Sequence, residues 1–169
     1  KEGLPFCHGS PESLLPPVET MFSNDANPDR EFLDEKLLSS DKFEFPCERI
    51  IESVEDLIPV DENFGIHGEA TFYLKTNLIF PEDLNTWVVV GNSDAYKLWI
   101  NGNLIQSVNE CRTWQPQSHA DIISFKKGIN SITLKLTRRS ENLKFSNRVI
   151  ELKDGLIYKD QYKGEYLSI

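Results

Sequence analysis

An antiparallel all-β sandwich is the fold class this sequence predicts, and three observations predict it. From residue 70 onward, apolar and polar residues alternate with period two in several short runs, the pattern of strands with one buried face. Turn-forming residues separate those runs, Asn101-Gly102 above all, because both accept the positive φ that a two-residue hairpin needs. Helical periodicity is almost absent from the same stretch. Seven or eight short strands with frequent turns read as two packed antiparallel sheets.

The elements follow in order. Residues 4–18 carry Pro5, Pro11, Pro16 and Pro17, which exclude a long helix or a central strand and leave an extended strap. Asn27-Pro28-Asp29-Arg30-Glu31 has the signature of a helix start, with a capping side chain, proline at the first helical position and acids in the first turn. Phe32, Leu33, Lys36 and Leu37 then predict a short helix with an apolar strip, ending near Ser39-Ser40. Phe43 and Phe45 alternate ahead of Pro46, and Ser53-Val54-Glu55-Asp56 can cap one turn before Pro59.

Beyond the breakers Gly65 and Gly68, the strands begin. Ala70, Phe72 and Leu74 alternate with Thr71, Tyr73 and Lys75, and Trp87-Val88-Val89-Val90 is a β-branched run that ends at Gly91-Asn92. Tyr96, Leu98 and Ile100 alternate with Lys97 and Trp99, and Leu104-Ile105 is the return strand after Asn101-Gly102. Tyr96 and Trp99 fall on opposite faces, one toward the core and the other exposed or covered by the N-terminal segment. Ile122-Ile123-Ser124-Phe125 leads through a tight turn at Lys126-Lys127-Gly128-Ile129-Asn130 to the alternation of Ile132, Leu134 and Leu136. Arg148–Leu152 and Leu156-Ile157-Tyr158 complete the set.

Charge divides the chain at the same place as the pattern does. Residues 1–69 hold 17 acids and 5 bases, a balance of −12, whereas residues 70–169 hold 10 acids and 13 bases, a balance of +3. The expected organisation is an acidic, proline-interrupted extension over residues 1–64, packed on a sandwich over residues 65–169. With 169 residues in all, a core is feasible without metal or disulfide support. No run approaches the ~18–20 consecutive apolar residues of a membrane-spanning helix. A net charge of −9 counts against nucleic acid, whose phosphates are held by Lys and Arg. Cys7, Cys47 and Cys111 are far apart and odd in number, which favours free thiols over a disulfide framework or a zinc site. The chain begins at Lys1 with no basic-then-apolar leader, as expected of a processed product or a piece of a longer chain. Either an extracellular or a cytoplasmic setting fits.

A resemblance enters at Trp87-Val88-Val89-Val90-Gly91-Asn92-Ser93-Asp94-Ala95-Tyr96-Lys97-Leu98-Trp99-Ile100-Asn101-Gly102 and, further on, Lys127-Gly128-Ile129-Asn130. In order and spacing this stretch resembles galactose-binding-like jelly-roll domains, which accompany glycoside hydrolases and other carbohydrate-active enzymes. The resemblance covers roughly residues 65–152 and implies a jelly-roll β-sandwich that serves a larger protein as an accessory domain. It implies neighbouring domains as partners, allows a carbohydrate ligand without being specific for one, and in many members brings a structural calcium ion; no other cofactor is expected. The residues that carry it are fold determinants, silent about catalysis.

Candidate sites follow from residue chemistry. Sugars stack their C–H faces on aromatic rings and give their hydroxyls to amides, carboxylates and arginine. Trp114 sits in Cys111-Arg112-Thr113-Trp114-Gln115-Pro116-Gln117-Ser118-His119, which reads as a polar loop long enough to form a rim. Arg112, Gln115, Gln117 and His119 are its hydrogen-bonding candidates; the plainer reading has Trp114 anchoring the loop over one end of the sandwich. Oxygen ligands from Asn92, Asp94, Glu110 and Asp121 would suit a calcium ion, although Asp94 also reads as a turn-capping residue. His8, His67 and His119 lie in no catalytic motif, and the sequence has no G-x-S-x-G, H-E-x-x-H or phosphate-binding glycine loop. The expected function is therefore a non-catalytic accessory module with weak glycan binding or a domain-orienting role, with protein docking through the N-terminal extension as the alternative and glycan hydrolysis third.

Overall fold

The computed structural model describes residues 18–23, 25–40, 42–51, 64–65, 67–139, 145–153, 156–160 and 165–166. In chain order these include β1 (Val18–Ser23), a 3-10 helix (Glu35–Ser39), β2 (Arg49–Ile51), β3 (Ala70–Phe80), β4 (Leu84–Asn92) and β5 (Ala95–Ile100). Then come β6 (Asn103–Val108), β7 (Gln115–Phe125), β8 (Gly128–Arg138), β9 (Phe145–Lys153), β10 (Leu156–Asp160) and β11 (Glu165–Tyr166). Two sheets result, of order β2-β1-β3-β8-β5-β6 and β11-β10-β9-β4-β7. Every recorded strand pair is antiparallel, so the predicted all-β sandwich is the fold. The proline-broken strap over residues 4–17, the turn at 53–56, Cys7 and His8 lie outside the described residues.

Period two explains how the sheets close on each other. On β3 the even-numbered Ala70, Phe72, Leu74, Leu78 and Phe80 join the main core, because alternate strand residues share one face. Val88 and Val90 of β4, Leu98 and Ile100 of β5, Ile123 and Phe125 of β7 and Leu134 and Leu136 of β8 meet them from both sheets. Phe80 stacks on Phe125 across the gap at 4.6 Å between ring centroids. Two turns aim the strands. Asn101 and Gly102 take φ of 50° and 75°, as an Asn-Gly hairpin requires. At Gly128 (φ 93°), Asn130 donates to the Lys126 and Gly128 carbonyls and accepts from Lys126 N, holding the β7–β8 turn closed.

The N-terminal segment is woven into this frame. β1 pairs with β3 along five registered residues from Glu19 to Ser23, and β2 extends the same sheet outward. Residues 25–40 and 42–45 then lie over the outer face of the six-stranded sheet, where Met21, Phe45 and Tyr73 form a second buried cluster with Phe32, Leu33 and Phe43 packed against it. The helix expected to start at Asn27-Pro28 is instead a turn, followed by the five-residue 3-10 helix capped by Asp34. Asn27 spends its side chain on Asp29 N at 2.9 Å. The Arg30 carbonyl, which a continuing helix would use internally, accepts from Lys135 Nζ at 2.7 Å. Tertiary contacts therefore override the local helix signal.

A buried charge cluster fastens the segment down. Glu35 accepts from Tyr73 Oη at 2.6 Å and pairs with Lys135 Nζ at 3.1 Å and Lys97 Nζ at 3.6 Å. The Lys135 side chain is only 1% exposed, and burial lowers its pKa despite the Glu35 carboxylate. Burial together with Glu35 drives the Tyr73 phenol far above its ordinary range, so it stays a hydrogen-bond donor. Tyr96 belongs to the main core, and Trp99 on the opposite face is 4% exposed, resolving the pair as one core residue and one covered residue.

Candidate functional site

Of the residues singled out by the sequence, Asn92, Asp94, Glu110, Arg112 and His119 are linked by hydrogen bonds and an ion pair at one end of the sandwich, around the β4–β5 turn and the segment between β6 and β7. Asp121 joins them through Gln106 and Tyr96. Asn92-Ser93-Asp94 makes the turn. Asp94 accepts from Ser93 Oγ and Arg139 N, each at 2.9 Å, and from Cys111 Sγ at 3.8 Å. It ties its own turn to the end of β8 and to the start of the loop, the capping role that a short carboxylate suits. Asn92 donates to the Asp94 carbonyl at 2.9 Å.

The loop itself is shorter than the sequence implies. Gln115, Gln117 and His119 were expected on a long polar loop, whereas β7 begins at Gln115, leaving 109–114 as the connection. Pro116 concealed the strand, because it lacks an N–H for a sheet ladder. β7 is an edge strand, where proline is tolerated, and its pairing with β4 is irregular between Val90 and Asn92. Gln117 lies in β7, and its side chain is outside the described residues. Gln115 is exposed at the strand start, and Trp114 is half-buried just before it.

Arg112 is the centre of the cluster. Its N–H donates to the Ser93 carbonyl at 2.8 Å, which fixes the backbone beneath the side chain. Its Nη2 donates to Asn92 Oδ1 at 3.2 Å and to His119 Nε2 at 2.5 Å, and Nη1 pairs with Glu110 at 3.3 Å. Guanidinium nitrogens only donate, so His119 Nε2 is the acceptor and the neutral ring carries its proton on Nδ1. Burial, and then the Arg112 charge, lower the His119 pKa below its ordinary value, while Glu110 and Asp121 oppose the shift.

Behind this layer the space between the sheets turns polar. His119 and Asp121 oppose Val90 and Val88 of β4 in register and so share their inward face. Tyr96 Oη donates to Gln106 Oε1 at 2.7 Å, and Gln106 Nε2 donates to Asp121 Oδ2. The Tyr96 ring meets His119 edge-on at 5.8 Å. Burial holds its phenol well above the ordinary range against the Arg112 charge, with Asp121 and Glu110 adding to the rise. Gln106 was not among the residues the sequence singled out. It stands on the edge strand β6 with no local motif, and only the β5–β6 register brings it to Tyr96.

The arrangement is one of polar side chains that hold one another in place. His119 has its Nε2 occupied by Arg112, and among the described residues no hydroxyl or thiol is hydrogen-bonded to that ring. Asn92, Asp94, Glu110 and Asp121 do not make a calcium cage as placed: Asp94 serves three donors, Glu110 pairs with Arg112 and Asp121 accepts from Gln106. No group of three or more His, Cys, Asp or Glu among the described residues can hold a metal ion. Cys47 and Cys111 are free surface thiols.

Solved structures share this fold. The chain is similar to β-glucosidase from Kluyveromyces marxianus in complex with glucose, with a TM-score of 0.54, 12% identity, and coverage of 82% of this chain and 17% of that one. The selenomethionine-labelled form of the same enzyme gives a TM-score of 0.53 at 11% identity over 82% of this chain and 15% of that one. The PA14 domain of the antifreeze protein MpAFP covers 83% of this chain and 85% of its own at 14% identity, with a TM-score of 0.48. No protein-family model and no curated protein matches the sequence. At such identities the likeness is one of fold, and the chain spans 17% of the length of the β-glucosidase chain.

Proposed function

We propose that this chain is a non-catalytic accessory module of a larger, carbohydrate-active protein, of the galactose-binding-like jelly-roll type. It binds glycan weakly at the end of the sandwich marked by Arg112 and Trp114. The observation that carries the reading is the state of Arg112. Three side chains hold its guanidinium, yet the side chain remains 28% exposed. A donor fixed before the ligand arrives loses little freedom on binding. Half-buried Trp114 next to it supplies the apolar ring face on which a sugar stacks. Fold similarity to one part of a β-glucosidase chain supports the accessory role.

Glycan-array screening followed by calorimetric titration tests the reading. A bound glycan should lose about tenfold or more in affinity in Trp114→Ala and in Arg112→Ala, the loss of one stacking or charge-assisted contact. Binding that survives both substitutions rules out this site. Absence of binding to every glycan leaves the module with a domain-orienting role alone.

A further inference from the structure

At the opposite end of β5 from Asp94, and on the outer face of the six-stranded sheet, lies a cleft of about 340 Å³. Lys75 and Ser131 form its floor on the central β3–β8 pair, Asn101 of the β5–β6 turn closes one side, and Leu38, Ser39 and Phe43 of the N-terminal segment close the other. The cleft exists because the segment bends over the sheet at this point. A Cβ on Gly102 would collide with the Ser39 backbone, so the glycine of the hairpin lets the two walls touch.

The polar groups in the cleft differ in how they are used. Asn101 is committed to the fold, donating to Asn130 Oδ1 and accepting from Ser131 N, each at 2.9 Å. Lys75 is not. Among the described residues it joins none of the ion pairs, although Glu19 stands opposite it in register, and its ammonium lies 6.0 Å from the ring centroids of both Phe43 and Phe45. Nor do the hydroxyls of Ser39 and Ser131 make a hydrogen bond among the described residues. One half-buried cation, two hydroxyls and the edge of an aromatic wall therefore face a volume within the range of small-molecule sites, about 300–1,000 Å³.

We propose that this cleft binds a hexose-sized organic acid, its carboxylate on the Lys75 ammonium, its hydroxyls on Ser39 and Ser131, and its C–H surface against Phe43. The site goes beyond the glycan rim at Arg112 and is separate from it, at the other end of β5 and across the sheet. An acidic N-terminal third repels anions at long range, so selectivity for an organic acid over a plain anion comes from the hydroxyl and ring contacts.

Titration of the full chain with D-glucuronate, followed by amide NMR shifts, tests the assignment beside D-glucose and sodium sulfate at matched ionic strength. Glucuronate should saturate, with glucose and sulfate at least about tenfold weaker. Lys75→Gln should lose about tenfold, the worth of one charge-assisted hydrogen bond, and Lys75→Arg should stay within a few-fold of the parent. Trp114→Ala should bind glucuronate unchanged, and unfolding midpoints of all variants confirm that each is folded. No saturable glucuronate binding, equal binding of sulfate, or an unaffected Lys75→Gln overturns the proposal. Loss in Trp114→Ala with Lys75→Gln intact also overturns it, while leaving the rim at Arg112 standing.

Discussion

On its inner face, β3 presents Phe72, Leu74, Leu78 and Phe80 to the second sheet; on its outer face the same strand presents Thr71, Tyr73 and Lys75 to the N-terminal segment. Phe72 and Tyr73 are both 0% exposed. The inner face is held by apolar contact, which is non-directional and tolerant of small shifts. The outer face is held by directed bonds: Thr71 Oγ1 donates to the Asp25 carbonyl at 2.6 Å, Tyr73 to Glu35, and Lys135 to both Arg30 and Glu35. Such contacts place one particular segment in one register, because each buried donor left without its acceptor is costly. Strand alternation thus sets which way a side chain points, and the cover decides whether that side meets water.

The largest effect comes from removing the cover altogether. Deletion of residues 1–64 takes away β1, β2 and most of the second cluster, and leaves Lys135 and Tyr73 without their roof. Loss of cooperative thermal unfolding is expected, read by circular dichroism and calorimetry. A remainder that unfolds cooperatively near the parent midpoint would show the sandwich over 65–169 to be self-sufficient, and would make the outer face dispensable.

A single substitution probes the same face with less force. Glu35→Ala strands two ammonium groups, one of them buried, and is expected to cost about 3–5 kcal/mol. Combining Glu35→Leu with Lys135→Met removes both charges from the pair and should recover most of that loss, as measured by denaturant midpoints with unchanged m-values. Recovery identifies the cost as one of an uncompensated charge. A Glu35→Ala variant as stable as the parent would break the comparison, since the outer face would then rest on packing alone.

Much of the fold was legible from particular residues. Ala70 to Phe80 declared their orientation by alternation, Asn101-Gly102 and Gly128 declared turns through the φ they tolerate, and Tyr96 and Trp99 were placed on opposite faces correctly. The cover was not legible. Lys135 sits in the same alternation as the half-exposed Ser131, and nothing local marks one as buried; the acid that buries it stands 100 residues earlier. The helix signal at Asn27-Pro28 failed for the same reason, because Lys135 claims the Arg30 carbonyl. At the candidate site, Asn92 and Arg112 were read toward two different ligands, calcium and sugar, and the fold joins them in one hydrogen bond. Short sequence windows show the donors and acceptors but not the partners.

The contrast between an apolar inner face and a polar outer one is weakest at the end where buried Tyr96 and Gln106 meet half-buried His119 and exposed Asp121, and pH provides the gentlest way to probe it. Folding lowers the His119 pKa below its ordinary value near 6.5, through burial first and the Arg112 charge second. Below that value the unfolded chain takes up a proton that the folded chain resists, so the unfolded state binds more protons and stability falls as pH falls. The window opens near the ordinary histidine value and closes at the lower folded pKa, above which the neutral ring can still accept from Arg112. Between about pH 7 and about pH 5.5, above the ordinary carboxylate range, the parent melting temperature should decline. His119→Gln, which carries no titrating group, should flatten that decline, by less than either effect above because the ring is only partly buried. Parallel slopes for parent and variant would mean that His119 titrates as it does in water, and that the inner face remains polar there without Arg112 imposing a protonation state on it.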